Sequence, residues 1–335
     1  MATLHLVDRH PVVPATELLA ALVPPPNFCA ARFGTYRPDP TQPSQLAAAT
    51  VLQNFAGSFA PSPKRFFGKR PPAGRPGVYL DGGFGVGKTH LLASLWHAAP
   101  EPKAYATFVE LTYLVGALGF APTVAALKDY RLLAIDEFEL DDPGDTVLVS
   151  TLLGRLVDAG VRIAATSNTL PGSLGEGRFA AGDFLREIQG LSAHFTSVRV
   201  DGQDYRHRGL PAAPVPAQEI ALVARAEANP AGSFDDFRAL LGHLASLHPS
   251  RYGALVDGIS LVCLSQVGQV TDQSDGLRLV VLIDRLYDRD IPVLTSGLPL
   301  DEVFPPAFLT GGFRKKYLRA VSRLTALARA AEADS

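Results

Sequence analysis

The sequence has few of the residues that build covalent or metal frameworks. Its 335 residues include only two cysteines, Cys29 and Cys263, and its eight histidines show no spacing typical of a zinc site. Two isolated thiols support neither a disulfide framework nor a zinc site, and they favour a reducing compartment. We therefore expect a cytoplasmic protein.

Long apolar runs and a strong net charge are also missing. No run approaches the roughly 18 apolar residues of a membrane-spanning helix, and Asp8, Arg9 and several prolines interrupt the region where a signal peptide would be apolar. We expect at most peripheral membrane association. The formal net charge is -2, so the overall charge gives no strong nucleic-acid signal.

The chain does contain a regular alternation of short apolar runs and helical patterns. This alternation predicts an α/β fold, with a parallel sheet flanked by helices. The predicted strands are Val78–Asp81, Ala104–Phe108, Leu132–Asp136, Arg162–Ser167 and Ser197–Val200. The predicted helices around them are Ser44–Phe59, Lys88–His97, Glu110–Leu118, Thr146–Ala159 and Asp183–His194.

Composition and pattern divide the chain into three predicted parts. Residues 1–76 form an N-terminal segment with a basic, proline-rich linker, residues 77–210 form the core, and residues 211–335 form a mixed α/β region that could lean on the core sheet. In the last part we predict helices at Ala217–Ala228, Ser233–Leu247, Leu277–Tyr287 and Phe313–Ala331, and strands at Ile259–Leu264 and Pro292–Thr295.

One motif carries a specific chemistry. It matches the P-loop pattern G-x-x-x-x-G-K-[ST] and reads Gly82-Gly83-Phe84-Gly85-Val86-Gly87-Lys88-Thr89. Glycines let backbone N–H groups converge on phosphate oxygens and allow positive φ angles, and the helix that follows directs its positive end at the phosphates. We expect these eight residues to bind ATP, with Lys88 at the β- and γ-phosphates and the Thr89 hydroxyl on Mg²⁺.

Polar residues follow two of the predicted strands. Asp136 and Glu137 end the third strand, where an acidic pair faces the ligand crevice of a parallel sheet. We expect Asp136 to hold Mg²⁺ through water and Glu137 to act as general base; the alternative is a solvated acidic turn. Asn168 ends the fourth strand and could position the attacking water, or it could simply open the next turn.

Several motifs together resemble those of the ZapE and AFG1-like family of AAA+-type ATPases. The resemblance runs from about Phe33 to Leu327. Besides the glycine loop, it rests on Phe33-Gly34-Thr35-Tyr36-Arg37-Pro38-Asp39-Pro40, Ile135-Asp136-Glu137-Phe138, Ala165-Thr166-Ser167-Asn168, Asp204-Tyr205-Arg206, Leu282-Ile283-Asp284-Arg285-Leu286-Tyr287-Asp288 and Ser322-Arg323-Leu324.

The resemblance implies an AAA+-like P-loop fold, ATP hydrolysis with Mg²⁺, and action on protein clients. It further implies a homo-oligomer and a role beside the cytokinetic Z-ring of the divisome. In such an assembly an arginine from a neighbouring subunit completes the site. Arg178 is the first candidate, because it lies in the turn before the predicted helix that leads to the fifth strand, and Arg186, inside that helix, is the second. Residues 177–186 depart from the family pattern, so the resemblance alone does not decide between them. Arg278 could sense nucleotide, or it could be an ordinary exposed helix arginine.

Two other functions share such a core. A helicase loader or another nucleic-acid-associated ATPase should show a basic stripe or a helix-turn-helix module, which the net charge of -2 does not favour. A scaffold that uses ATP only as a switch does not need a general base, so the presence of Glu137 argues against this function. The sequence names neither the client protein nor the size of the oligomer.

Overall fold

A five-stranded sheet forms the centre of the first of two compact units. The computed structural model describes residues 3–12, 14–59, 75–83, 85–140, 143–170, 174, 185–202 and 213–333. The strands are β1 (Gly77–Gly82), β2 (Lys103–Thr107), β3 (Leu132–Asp136), β4 (Arg162–Ser167) and β5 (Phe195–Val200). They lie in the order β2-β3-β4-β1-β5, and every neighbouring pair is parallel. The predicted parallel sheet is confirmed.

Helices surround this sheet in the core unit, which contains residues 14–24 and 28–202. They are α1 (Ala15–Ala20), α2 (Pro43–Gly57), α3 (Lys88–Ala98), α4 (Phe108–Leu118), α5 (Phe120–Leu127), α6 (Pro143–Asp158) and α7 (Leu185–Ala193). Short α5 was not predicted. Gly119, with a φ of +88°, ends α4 and turns the chain directly into α5.

Alternate residues of each strand enter two hydrophobic clusters on opposite faces of the sheet. Tyr79 and Ile135 belong to one cluster, whereas their chain neighbours Leu80 and Ala134 belong to the other. This alternation follows from the two-residue period of a strand. Because both faces are covered, the strands are apolar along their whole length, which is the pattern that made them recognisable in the sequence.

No single helix among the described residues is long and apolar enough to cross a membrane. Helices α4 and α5 meet the length and composition requirement only as a pair, and they meet at a bend of 116°.

The second compact unit, here called the C-terminal unit, contains residues 3–12, 25–27 and 213–333. Its three parallel strands lie in the order β6 (Gly232–Asp236), β7 (Leu261–Val267) and β8 (Val293–Gly297). Its helices are α8 (Glu219–Ala228), α9 (Phe237–Ser246), α10 (Tyr252–Leu255), α11 (Gln273–Tyr287), α12 (Pro306–Thr310) and α13 (Arg314–Ala333). The predicted mixed α/β region is confirmed, and its strands form a sheet of their own. The three-part division into 1–76, 77–210 and 211–335 stays a prediction.

One predicted helix was wrong in its first turn. The chain over Ser233–Leu247 begins as strand β6, and helix α9 starts only at Phe237. Pairing of β6 with β7 outweighs the local helical pattern. The side chain of Asp236 then caps the helix by accepting a hydrogen bond from the Ala239 N–H at 2.8 Å.

The N-terminal residues 3–12 complete the C-terminal unit. Leu4 forms a parallel bridge to Ser233 on the free edge of β6. Leu6 is fully buried in the main hydrophobic cluster of this unit. The two carboxylate oxygens of Asp235 accept hydrogen bonds from the backbone N–H groups of Leu6 at 3.0 Å and Val7 at 3.1 Å. The start of the chain is therefore part of this unit's core.

We expect Leu6→Ala to lower the free energy of unfolding by about 2 to 5 kcal/mol, because it leaves a cavity in the core of the C-terminal unit. Val12→Ala is the matched control, since Val12 is 80% exposed and its loss should change stability by less than about 0.5 kcal/mol. Urea denaturation followed by circular dichroism measures both. Equal stability of the two variants would contradict the packing of residues 3–12.

Candidate nucleotide-binding site

The glycine loop lies where it was expected, between β1 and α3. Gly85 and Gly87 have φ angles of +70° and +90°, a region that residues with a Cβ adopt only with strain. Gly87 is also the N-cap of α3, so the loop leads directly into the positive end of that helix. Phe84 lies outside the described residues.

Gly82 is required by a close approach of two strands. A Cβ atom at this position would lie 2.1 Å from the carbonyl oxygen of Val200 on β5. Because β1 and β5 pair in register up to Gly82 and Val200, the pairing of the two strands fixes the distance between this position and the Val200 carbonyl. The glycine therefore lets β1 stay paired to the point where the loop begins.

Lys88, the first residue of α3, is buried against the loop. Its ammonium donates hydrogen bonds to the carbonyl oxygens of Gly82, at 2.9 Å, and Gly83. It also donates to Oδ1 of Asn168 at 3.0 Å. Asn168 follows β4, the sheet neighbour of β1, so the strand order brings these two predicted site residues together.

Thr89 and Asp136 also lie together. The Thr89 hydroxyl is 3.4 Å from Oδ1 of Asp136, which ends β3. Asp136 is buried and accepts further hydrogen bonds from the hydroxyls of Thr166 and, at 2.9 Å, Tyr105. Burial raises the pKa of Asp136, and the charge of Glu137 raises it further, while the three hydroxyl hydrogen bonds lower it.

Glu137 stands at a sharp turn of the chain. Its φ of +54° is unusual for a residue with a side chain, and it turns the chain away from β3. Thr166 on β4 holds this turn, because its hydroxyl accepts from the Glu137 N–H at 3.1 Å and its carbonyl accepts from the Phe138 N–H at 2.7 Å. The Glu137 side chain is partly exposed.

The backbone contact from the Phe138 N–H to the Thr166 carbonyl also joins β3 to β4 just beyond their last paired residues. Glu139, which comes next, was not predicted as a site residue. It is buried, and its Oε1 accepts hydrogen bonds from the Ser167 hydroxyl at 3.0 Å and the Asn168 N–H at 3.1 Å. Glu139 thus fixes the turn from which the Asn168 side chain reaches Lys88.

The N-terminal segment around Tyr36 supports the loop from outside. The Tyr36 hydroxyl donates to the carbonyl oxygen of Val86 at 3.1 Å. The Tyr36 ring packs so closely on Gly87 that a Cβ atom added there would be only 2.6 Å from a ring carbon. His90 is 3.1 Å from the Thr35 hydroxyl. Tyr36 appeared in the sequence only as part of a family motif, and nothing local to it indicated a contact with the loop.

An ion pair beneath the loop was also missed. Asp81, nearly completely buried at the end of β1, accepts a hydrogen bond from Arg199 on β5 at 2.7 Å. Arg199 binds Asp201 as well, also at 2.7 Å. The hydrogen bonds to these two carboxylates raise the pKa of Arg199, and Arg199 lowers the pKa of Asp201. The pairing of β5 with β1, which joins these residues, has no signal in the local sequence.

Two of the three candidate arginines, Arg186 and Arg278, lie among the described residues. Arg186 is exposed in the first turn of α7. Arg278 lies on α11 of the C-terminal unit and pairs with Asp275 at 3.0 Å. Arg178 lies outside the described residues.

Magnesium fits the donor set of this site. Thr89 and Asp136 offer a hydroxyl and a carboxylate oxygen, the hard oxygen ligands that Mg²⁺ prefers when it keeps several waters and binds phosphates. Among the described residues, no group of three or more His, Cys, Asp or Glu side chains could hold a metal ion. A fully protein-coordinated metal centre is therefore not found in the part of the chain that the structure describes.

Comparison with known proteins decides the family. The sequence profile of the AFG1-like ATPases matches residues 12–235 and 216–333, which together cover most of the chain. The chain belongs to the AFG1-like ATPase family. The family resemblance predicted from the motifs is confirmed.

Two curated proteins are similar to this chain at low sequence identity. Cell division protein ZapE of Escherichia coli strain K12 is 26% identical over 371 residues, covering 93% of this chain and 95% of ZapE. An uncharacterized protein of Schizosaccharomyces pombe is 24% identical over 291 residues, covering 71% of this chain and 64% of that protein.

Among solved structures, domain III of the Thermotoga maritima replication initiation protein DnaA has a TM-score of 0.39 and 18% sequence identity. The match covers 52% of this chain and 67% of that one. The P-loop fold of this AFG1-like chain rests on its own sheet order and glycine loop.

We expect Tyr36→Ala to weaken ATP binding about ten-fold, because the Val86-Gly87 backbone loses its support and must be ordered at each binding event. Tyr36→Phe keeps the ring against Gly87 and loses only the hydrogen bond, so its affinity should fall about three-fold or less. Titration with a fluorescent ATP analogue measures both variants, and their melting temperatures report whether they fold. A folded Tyr36→Ala protein that binds ATP like the wild type would contradict this role.

Proposed function

We propose that this AFG1-like chain hydrolyses ATP with Mg²⁺ at the site formed by the glycine loop and the carboxyl ends of β3 and β4. The observation that carries the proposal is the convergence of Lys88, Thr89, Asp136 and Asn168 at hydrogen-bond distances. These residues come from the start of α3 and from the ends of two different strands. Their types match the parts that phosphoryl transfer needs, which are a cation, a hydroxyl and carboxylate for the metal, and a polar group near the attacking water.

Lys88 is held ready for phosphate. Its charge is compensated by the carbonyls of Gly82 and Gly83 and by Asn168. The β- and γ-phosphate oxygens are stronger acceptors, since they carry charge, so the ammonium would turn from the carbonyls to them. The N–H groups of Gly85, Val86 and Gly87 would bind the remaining phosphate oxygens, which the positive end of α3 favours.

Thr89 and Asp136 would hold the metal. Bound there, Mg²⁺ would neutralise charge on the β- and γ-phosphates. The Thr89 hydroxyl would ligate directly, and Asp136 would act through water. Thr166 and Tyr105 keep the Asp136 carboxylate in place, as hydrogen-bonding partners of metal ligands commonly do.

Glu137 would act as the general base. It would take a proton from water as the water oxygen forms a bond to the γ-phosphorus, while the bond to the β–γ bridging oxygen breaks and ADP leaves. The turn fixed by Thr166 sets where the Glu137 side chain begins. Asn168, one strand over, would orient the same water once Lys88 has turned to the phosphates.

The biological role is proposed from the family. ZapE, which matches this chain over nearly its whole length, is named a cell division protein. We therefore propose that hydrolysis drives action on protein clients in cell division, beside the Z-ring. We further propose that the chain works in the cytoplasm as a homo-oligomer. Arg178, then Arg186, would be the residue that reaches a neighbour's γ-phosphate, and Arg278 would sense nucleotide from the C-terminal unit.

We expect Glu137→Gln to keep ATP binding and to lower turnover by about two to four orders of magnitude, because glutamine keeps the shape of glutamate but cannot accept the proton. Phosphate release and nucleotide titration measure the two effects. Glu101→Gln is the matched control, since Glu101 is exposed just before β2, at the opposite end of the sheet from Asp136, and the change should leave turnover within about two-fold of wild type.

Near wild-type turnover in Glu137→Gln would place the base elsewhere. The same variant tests the client proposal, since it should retain a bound protein in a pull-down with ATP and release it with ADP. Equal retention with both nucleotides would count against a nucleotide-driven client cycle.

A shared site makes activity depend on assembly. We expect specific ATPase activity to rise with protein concentration, because an arginine supplied by a neighbour contributes about 10³ to 10⁵ in rate. Arg178→Ala mixed with Lys88→Ala should recover part of the activity that each lacks alone, since the two changes damage different halves of one site. Concentration-independent activity together with an inactive mixture would show that one chain holds a complete site.

A further inference from the structure

The C-terminal unit repeats part of the core sheet. Strands β2, β3 and β4 are parallel and are neighbours in that order, and so are β6, β7 and β8. In the core, Ile135 of β3 pairs with Ala165 of β4. In the C-terminal unit, Leu264 of β7 pairs with Thr295 of β8. Strand β2 runs directly into α4, and β6 runs directly into α9 in the same way. Strand β8 is therefore the counterpart of β4.

The backbone turns at the ends of β3 and β7 agree as well. Glu137 has a φ of +54°, and its N–H donates to the hydroxyl of Thr166 on β4 at 3.1 Å. Gln266 has a φ of +53°, and its N–H donates to the hydroxyl of Ser296 on β8 at 3.0 Å. Thr166 and Ser296 directly follow the paired residues of their strands. A positive φ is uncommon for a residue with a side chain, so its recurrence at the same point supports the correspondence.

One core strand has no complete counterpart in the C-terminal unit. In the core, β1 pairs with the other edge of β4, beginning with Gly77 opposite Ile163. In the C-terminal unit, the described residues make one backbone hydrogen bond to the corresponding edge of β8, from the Ala217 N–H to the Thr295 carbonyl oxygen at 2.7 Å. Val215, two residues earlier, makes no backbone hydrogen bond to a described residue and is 88% exposed. The position that β1 fills in the core is therefore mostly open beside β8.

Backbone groups of β8 face this open position without partners. The Val262 N–H donates to the Pro292 carbonyl oxygen at 3.0 Å, so Pro292 faces β7 and the backbone groups of Val293 face the other way. Within the part of the chain that the structure describes, the N–H and C=O of Val293 and the N–H of Thr295 form no hydrogen bond. Val293 is fully buried, so water does not replace the missing partners. Unpaired buried backbone groups cost free energy, and they favour a ligand that brings both donors and acceptors.

A groove of about 200 Å³ lies along the same edge, between α8 and α13. Apolar side chains, among them Leu222, Leu294 and Ala328, form most of its lining. Its volume is below the roughly 300 to 1,000 Å³ of small-molecule sites, so it suits a few side chains better than a cofactor. The two charged residues that line it, Arg225 and Glu332, have opposite signs, so the groove does not favour a strongly charged ligand such as a nucleic acid.

An extended polypeptide fits both the strand edge and the groove. Its backbone presents N–H and C=O groups at the spacing of β8, and alternate side chains can enter the apolar groove. The core shows the kind of segment that such an edge accepts, because all six residues of β1, Gly77–Gly82, are buried and most are apolar or glycine.

We propose that the edge of β8 binds an extended, mainly apolar segment of a partner protein at the place that β1 takes in the core. The segment would pair with Val293 and Thr295 and replace the single hydrogen bond of Ala217. Binding of this kind needs no nucleotide, so its failure would leave the proposed ATP hydrolysis untouched.

Fluorescence anisotropy with a labelled peptide of the β1 sequence, Gly-Val-Tyr-Leu-Asp-Gly, tests the proposal, since this sequence already pairs with the counterpart of β8. We expect saturable binding to the full chain. Ala221→Trp places a large side chain at the groove and should weaken binding by about ten-fold or more. Ala224→Trp is the matched control, because Ala224 is exposed on the same helix but does not line the groove, and it should stay within about two-fold of wild type.

A second peptide separates strand pairing from simple apolar contact. N-methyl groups on its valine and leucine remove the N–H donors that would face β8, and affinity should fall by about ten-fold or more. Melting temperatures show whether Ala221→Trp folds, and Ala221→Phe replaces it if it does not. Absence of saturable binding, equal weakening by the two tryptophan variants, or equal binding of the N-methylated peptide would overturn the proposal.

Discussion

The rest of the candidate site depends on the buried ammonium of Lys88. A buried charge without partners costs several kcal/mol, so the protein must provide acceptors wherever it places this lysine. The acceptors are the carbonyls of Gly82, which ends β1, and Gly83, which follows it, and the amide oxygen of Asn168, which follows β4. Because β1 and β4 are neighbours in the sheet, the strand order itself positions the lysine. Phosphate binding can then proceed by exchange of partners, without exposing a bare cation.

Two buried carboxylates stabilise the same edge of the sheet. Asp136 accepts from hydroxyls on β2, β4 and α3, and Glu139 accepts from the turn after β4. A buried carboxylate is costly to desolvate, and the several hydrogen-bond donors around each of these two offset that cost. The hydrogen bonds hold Thr89, Asp136 and Asn168 in one arrangement, as the proposed phosphoryl transfer would require.

The features that the sequence predicted correctly are those that neighbouring residues determine. β3 and β4 have the bounds that their apolar runs predict, and the glycine loop is recognisable because each residue type has a chemical reason. What the patterns missed depends on pairing between distant segments. Tyr36 meets Val86, Arg199 meets Asp81, and Leu6 enters the core of the C-terminal unit only after the chain has folded. The strand at Gly232–Asp236 was missed for the same reason, because its partner β7 lies about thirty residues further along the chain.

The central claim is that the glycine loop and the Asp136 end of β3 form one magnesium-dependent ATPase site. The most direct measurement is phosphate release from ATP by the purified wild-type chain, at protein concentrations that favour assembly, in Mg²⁺ and in EDTA side by side. The account predicts steady release in Mg²⁺ and its loss in EDTA. Equal release under both conditions, or no release in Mg²⁺ from a protein that demonstrably holds ATP, would contradict it.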